Sequence, residues 1–259
     1  MKLYRGDSIP SRICSAPPGE RGRTFADHFC GTGLTSKFAD NGSNALLRGK
    51  ALLDMVLGHV GYERDEPEQD LSYRSPFLSF TEDHSSAFSF AERSGRKSLE
   101  ECLIEDAAYF IWELDIDTPN ESEPGHYEFL YRASSVNCTA LVMGQIQRGR
   151  EEEALTKDTH NLVMGLMNLV ALVHADADIR DHHAELIDVT KYVENQDHNS
   201  CDHRLVDNTL ERARQSREWL LYPMDPKEDG PGVSSRFHMN RHLRVYKCYR
   251  IRGGKPAGT

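Results

Sequence analysis

The chain has 259 residues, of which 38% are hydrophobic and 28% charged, and its formal net charge is -10. This composition is typical of a soluble globular protein with a sizeable core, and no stretch approaches the roughly 18 apolar residues of a membrane span. The acidic balance argues against a general affinity for nucleic acid, and the absence of an N-terminal apolar run predicts a cytoplasmic protein with no membrane partner.

The cysteine spacing bears on disulfide bonds, and the distribution of charge bears on binding partners. Six scattered cysteines without a CxxC pair predict reduced thiols rather than a disulfide framework. From Arg236 to the C-terminus there are seven Lys or Arg and no acid. This basic segment fits a phosphate-bearing partner, or it pairs with the acidic body or faces solvent.

The N-terminal third predicts two elements and then a strand that runs into a helix. Lys2 to Asp7 reads as a short strand, and Leu46 to Val60 has apolar residues at helical spacing. In Ser75 to Arg93, bulky residues alternate with Ser79 and Thr81, which is typical of a buried strand. Asp83 or Ser85 can then cap a helix with small and aromatic residues on one face.

The middle of the chain predicts two strands and then a helical region. The strands are Ala107 to Ile116 and His126 to Arg132. Helical patterns follow over Glu151 to His174, Ala184 to Val193 and Leu205 to Ser216. We therefore predict one domain over residues 1–259, with residues 139–214 as a helical insertion.

The C-terminal part predicts a closing pair of strands. Glu218 to Pro223 (EWLLYP) reads as a strand, Met224 to Ser235 as a turn-rich loop, and His242 to Ile251 as a final alternating strand.

Three predicted strands each carry one polar residue that a buried strand does not need for its stability: Arg5, Ser79 and Glu218. Singly, each has an ordinary interpretation, as a surface cation, a packing serine or a helix end. Together, LYRGDSIP, FLSFTEDHSSAFSFA and SREWLLYP resemble the arginine, serine and glutamate motifs of the mono-ADP-ribosyltransferase family, in its cholera-, pertussis- and pierisin-like branch. The resemblance covers about a third of the chain and implies an α+β fold with a split antiparallel β-sheet core of ADP-ribosyltransferase type.

The resemblance also implies roles for these residues in cleaving NAD, which is the co-substrate, with no metal. The bond between nicotinamide and ribose breaks through an oxocarbenium-like state that a nearby carboxylate stabilises, which would be the role of Glu218. Ser79 would orient that carboxylate, and Arg5 would pair with the diphosphate. The family's cofactor-binding positions fall on Arg5, Gly6, Ser79, Phe80 and Thr81.

Several assignments stay open. Phe80, Phe88, Tyr4 or Trp219 could stack on nicotinamide, although core packing is their default role. The family usually has Glu or Gln two residues before the glutamate, where it helps to select the acceptor, and this chain has Ser216 there. Glu128, in HYEFLYR with His126 two residues earlier, is a rival for the catalytic glutamate, because it lies at the more usual distance from the preceding strand.

The function implied is an ADP-ribosyltransferase, a toxin or effector that modifies a nucleic acid base or a protein side chain and that an antitoxin protein would neutralise. The alternatives are a NAD glycohydrolase and an inactive member of the fold that serves as a binding module. A cluster with His198, Cys201 and His203 contains metal-ligand residue types, but its spacing fits no common zinc site, and we expect solvent-exposed histidines.

Overall fold

The computed structural model describes residues 1–8, 34–36, 47–61, 75–102, 106–117, 119–133, 180–227, 230–234, 236–237, 240 and 242–252. The helices in these ranges are α1 (Gly49–Val60), α2 (His84–Cys102), α3 (Val189–Glu194) and α4 (His203–Ser216). The strands are β1 (Lys2–Ser8), β2 (Leu34–Thr35), β3 (Leu78–Thr81), β4 (Asp106–Asp115), β5 (Asn120–Glu123), β6 (His126–Ala133), β7 (Arg180–Asp188), β8 (Glu218–Lys227), β9 (Gly230–Val233), β10 (Arg236–Phe237) and β11 (Leu243–Arg252). The fold is therefore α+β.

Nine of the strands form one sheet in the order β11-β4-β1-β3-β8-β7-β6-β5, with β9 paired to β8. β2 and β10 make a separate two-stranded sheet. Every strand pairing among the described residues is antiparallel. The first strand of the chain lies in the middle of the large sheet, so β1 connects its two sides.

The large sheet narrows between β1 and β3. All seven residues of β1 pair with β4, whereas the pairing of β1 with β3 consists of Tyr4 opposite Thr81. On the other side, all four residues of β3 pair with β8. The sheet thus has two halves, β11-β4-β1 and β3-β8-β7-β6-β5, joined at what we call the seam.

Each half of the sheet has its own helical cover. Apolar residues of α1, α3 and α4 bury against β7 and β8 in the larger core, which includes Leu52, Val56, Tyr192, Ile187 and Leu220. α2 covers the other half, where Ala87 and Ala91 pack with Tyr109 and Ile111. The side chain of Asp83 caps this helix by accepting from the backbone and hydroxyl groups of Ser85 and Ser86.

Most of the predicted elements are confirmed, and two predictions are wrong. Ala184 to Asp188 belongs to β7 rather than to a helix, because this segment is buried between β6 and β8, and α3 begins only at Val189. Met224 to Ser235 is not a loop throughout, since β8 continues to Lys227 and pairs with β9.

The predicted insertion over 139–214 is described only in part. Residues 134–179, including the pattern from Glu151 to His174, lie outside the described residues. The helix predicted over Leu205 to Ser216 is present as α4. In the described ranges, no helix combines the length and the apolar character needed to cross a bilayer.

Candidate functional site

The strands that carry Arg5, Ser79 and Glu218 are neighbours in the sheet. β3 lies between β1 and β8, and its Cα positions Ser79 and Thr81 are opposite Leu220 and Glu218. These residues are far apart along the chain, and the sheet order brings their strands together at the seam.

Arg5 contacts β3 directly across the seam. Its Nη1 donates to the carbonyl oxygen of Ser79 at 3.1 Å, and its Nε lies 3.8 Å from a carboxylate oxygen of Asp7. Nε is buried and has no hydrogen-bond partner. The guanidinium is thus fixed in place while one of its donors is unused.

The hydroxyl of Ser79 contacts a residue that the sequence did not single out. Its Oγ lies 2.8 Å from Nε2 of His59, which is near the C-terminal end of α1. The imidazole also packs edge-on to Phe77, with ring centroids 5.7 Å apart. Nothing in the local pattern marks His59, because it is one polar position on an amphipathic helix and its partner is on β3.

Glu218 begins β8, and its carboxylate is approached by Ser216. The Ser216 hydroxyl donates to the carbonyl of Arg212 at 2.9 Å and lies 3.5 Å from Glu218 Oε2. Thr81 fixes this turn, because its Oγ1 donates to the carbonyl of Ser216. The orienting role expected of Ser79 is not seen, since the hydroxyl of Ser79 bonds to His59 instead.

The turn before Glu218 has an unusual backbone. Arg217 has φ of 47°, the left-handed region that non-glycine residues rarely adopt, and its side chain is exposed. Its carbonyl accepts from the backbone N–H of Glu82 at 3.3 Å, and the Glu82 carboxylate accepts from Trp219 Nε1 at 3.0 Å. The turn that follows β3 therefore holds the start of β8.

Four residues considered as ligand contacts have packing contacts within the protein. Phe80 and Trp219 are 2% and 6% exposed, so both rings belong to the core and neither offers a face for nicotinamide. Gly6 is a packing position, because a Cβ there would lie 2.1 Å from the carbonyl oxygen of Ala87 and 2.6 Å from the amide nitrogen of Ala91. Thr81 is also buried and acts within the protein.

Glu128, the rival glutamate, lies away from the seam. It is on β6, with its Cα opposite Asn120 and Glu185, and β7 separates β6 from β8. Its position therefore does not join it to Arg5 and Ser79.

A buried chain of charges lies on the same side of the sheet as Glu128. His126 is 2% exposed, with Nδ1 2.9 Å from Glu123 and Nε2 2.7 Å from Glu185. Arg48, at the start of α1, makes a bidentate ion pair with Glu185, in which Nη1 lies 2.8 Å from Oε2. Burial alone would lower the pKa of His126, but the hydrogen bonds to Glu185 and Glu123 outweigh it and raise that pKa.

Glu185 is affected in the opposite direction. Burial would raise its pKa, and the hydrogen bonds from His126 and Arg48 outweigh burial and lower the pKa below its ordinary value. The cluster therefore favours a charged imidazolium between two carboxylates. Through Arg48, this cluster attaches the start of α1 to β7, and we call it the clamp.

The segment of His198, Cys201 and His203, considered above as a zinc site, makes contacts within the protein. His198 Nε2 lies 2.6 Å from the carbonyl oxygen of Val193, and Cys201 packs beside the larger core. Among the described residues, no three His, Cys, Asp or Glu side chains are grouped so that they could hold a metal ion.

Comparison with known proteins gives no relative from which a role could be carried over. The chain matches no protein-family model, no curated protein and no solved structure.

Proposed function

We propose that the protein is a NAD-dependent mono-ADP-ribosyltransferase with the split-sheet fold of that family. The observation that carries the proposal is the adjacency of β1, β3 and β8, with the Arg5 guanidinium fixed on Ser79 and Glu218 at the start of the next strand. The side chain of Arg5 is 26% exposed, so its guanidinium can also pair with a group that accepts hydrogen bonds, such as a diphosphate.

The reaction breaks the C–N bond between nicotinamide and the ribose, and nicotinamide leaves with the bonding electrons. The acceptor's nucleophilic atom forms the new bond to the same ribose carbon and releases a proton where that atom carried one. Glu218 stabilises the positive charge that develops on the ribose, and Arg5 holds the diphosphate. His59 and Ser79 act together, because the imidazole fixes the orientation of the Ser79 hydroxyl while the Ser79 carbonyl holds Arg5.

The proposal also includes a biological role for this activity. A cytoplasmic toxin or effector that acts on a macromolecular acceptor, with an antitoxin protein as a neutralising partner, fits the proposed reaction. Membrane association and a metal form no part of the proposal.

The decisive experiment follows labelled NAD in the presence of separate pools of RNA, DNA and protein. Glu218→Gln should lower turnover by about a hundredfold or more, because it removes the charge that stabilises the transition state. Glu128→Gln is the matched control, since it makes the same change away from the seam, and it should retain activity.

Each product identifies a different activity. Label on a macromolecule supports transfer, and free ADP-ribose identifies a glycohydrolase. Intact NAD in every pool identifies a binding module. Full activity in Glu218→Gln together with loss in Glu128→Gln would move the catalytic role to the rival glutamate.

A further inference from the structure

Three aromatic side chains meet beside the seam. Tyr4 on β1, His84 at the start of α2 and Tyr246 on β11 have ring centroids 5.4 to 5.5 Å apart. All three are partly exposed, and the two tyrosines also pack against the smaller core. This aromatic cluster therefore joins a rigid base to an accessible surface.

The cluster depends on an irregularity in β11. Val245 is opposite Trp112 and Lys247 is opposite Ile111, so Tyr246 is the extra residue of a bulge. Bulges redirect side chains and are common beside active sites. Here the bulge lets the ring of Tyr246 reach across β4 to Tyr4.

The aromatic cluster is in line with Glu218. Tyr4, Thr81 and Glu218 are successive partners across β1, β3 and β8. Directly opposed residues of adjacent strands lie on the same face, and strands are about 5 Å apart, so a spacing of about 10 Å is expected between the Cα atoms of Tyr4 and Glu218. The register therefore puts Tyr4 of the aromatic cluster on the same face of the sheet as Glu218.

The sequence around the aromatic cluster is basic. β11 contributes Arg244, Lys247, Arg250 and Arg252, and it has no acidic residue. The exposed side chain of Arg217 precedes Glu218.

Two acidic residues, Glu82 and Asp83, lie in the turn between β3 and α2, next to His84. Both carboxylates accept hydrogen bonds from other residues of the protein. Asp83 is held by Ser85 and Ser86, whose hydrogen bonds lower its pKa to about 2, and Glu82 accepts from Trp219. The lowered pKa keeps Asp83 negatively charged beside His84, which repels phosphate, so phosphate groups would lie on the β11 side of the rings.

We propose that Tyr4, His84 and Tyr246 form a stacking surface for a base of single-stranded nucleic acid, and that this nucleic acid is the acceptor. The acceptor role rests on the proposed ADP-ribosyl transfer, whereas the stacking surface does not. Partly exposed aromatic rings beside a strand of basic sequence are a combination with which proteins hold single strands. A base stacked there places the same strand within reach of Glu218, where a base nitrogen would take the ribose carbon as nicotinamide leaves.

The test measures binding of a short fluorescein-labelled oligothymidylate by anisotropy without NAD, at low and near-physiological salt. Tyr246→Leu should weaken binding by about tenfold, because it removes one stacking ring and keeps apolar bulk. Tyr246→Phe keeps the ring and should bind as the unmodified protein does. Phe90→Leu is the matched control, since Phe90 is a 42% exposed aromatic on α2 outside the aromatic cluster.

The outcomes separate the surface from the reaction. Failure of the oligonucleotide to bind at low salt, or equal binding by Tyr246→Leu and Phe90→Leu, would overturn the surface. Binding that depends on Tyr246, with label from NAD found only on protein, would overturn the acceptor role and leave transfer standing. Binding that depends on Tyr246 with intact NAD supports the surface while the proposed enzyme fails.

Discussion

Gly6 shows how one residue couples the candidate site to its helical cover. Its missing side chain lets α2 approach β1 so closely that a Cβ would meet the backbone of Ala87 and Ala91. Arg5 is the preceding residue and donates to Ser79 across the seam. A change at Gly6 therefore alters the packing of α2 on β1 and, through the adjacent residue, the position of the Arg5 guanidinium.

Gly6→Ala should destabilise the protein by about 1–3 kcal/mol, because the contacted atoms are backbone and cannot rotate away. Urea unfolding followed by circular dichroism measures this difference. Gly49→Asn is the control: Gly49 has φ of +55° with open space around its Cβ position, and Asn tolerates that conformation. Equal stability of Gly6→Ala and the unmodified protein would contradict the packing described for α2.

His126 makes stability depend on pH. Its pKa is raised above the ordinary 6.5, so the stability it contributes is complete below that pH and is lost as pH rises through the raised value. Glu185 has a pKa below its ordinary 4.5, so its contribution is lost as pH falls through the lowered value.

The urea midpoint of unfolding should therefore fall as pH rises above neutrality, and His126→Gln should flatten this decline. Midpoints across the range from mildly acidic to alkaline pH measure the effect. Parallel pH profiles for the two proteins would mean that His126 is not the group responsible.

The sequence indicated some of these residues and not others. Arg5, Ser79 and Glu218 stood out because each interrupts an apolar strand pattern, and the structure puts them on neighbouring strands. His59 and Tyr246 gave no such signal. Their significance comes from partners on other elements, which no local pattern encodes.

At the scale of elements, α1 is attached to the sheet at both ends. Arg48 at its start pairs with Glu185 on β7, and His59 near its end bonds to Ser79 on β3. β8 lies between those two strands, so the helix crosses over the strand that carries Glu218.

Arg48→Ala should cost about 1–3 kcal/mol, because Glu185 stays buried and loses one of its two charged partners. Thermal unfolding at fixed pH gives the comparison. Arg214→Ala is a matched control that breaks an ion pair between two exposed side chains, Arg214 and Glu194, and should have an effect below about 1 kcal/mol. Similar losses in the two variants would show that the clamp does not depend on burial.

β7 shows why one element was predicted wrongly. Ala184, Leu186 and Ile187 are fully buried, as is most of Glu185, because β7 is covered by strands at both edges and by side chains on both faces. A continuously buried strand loses the alternation that identifies strands, and its apolar spacing then also fits a helix. β1, β3 and β4 kept recognisable strand patterns and were predicted correctly.

At the scale of the whole molecule, the two tryptophans report on opposite halves of the sheet. Trp112 is on β4 and Trp219 is on β8, both are buried, and the seam lies between them. The sequence predicted one domain, and strand order, which determines how the halves are joined, could not be deduced from local patterns because every contact across the seam is long-range.

Trp112→Phe and Trp219→Phe each leave one fluorescent tryptophan, in one half of the sheet. The urea unfolding midpoints of the two variants by fluorescence should coincide, once any change in stability measured by circular dichroism is subtracted. Coincidence is expected because β1 belongs to both halves, pairing with β4 and β3. The control is circular dichroism recorded on the same samples. Two separate midpoints would show that the halves unfold independently.

The narrow join between β1 and β3 has a mechanical consequence. With Tyr4 opposite Thr81 as its only paired position, little backbone bonding resists a twist of one half against the other. The Arg5 side chain spans this join by donating a hydrogen bond to the carbonyl of Ser79. A molecule held by Arg5 on one side and by β3 or β8 on the other would therefore stiffen the protein across the seam as it binds.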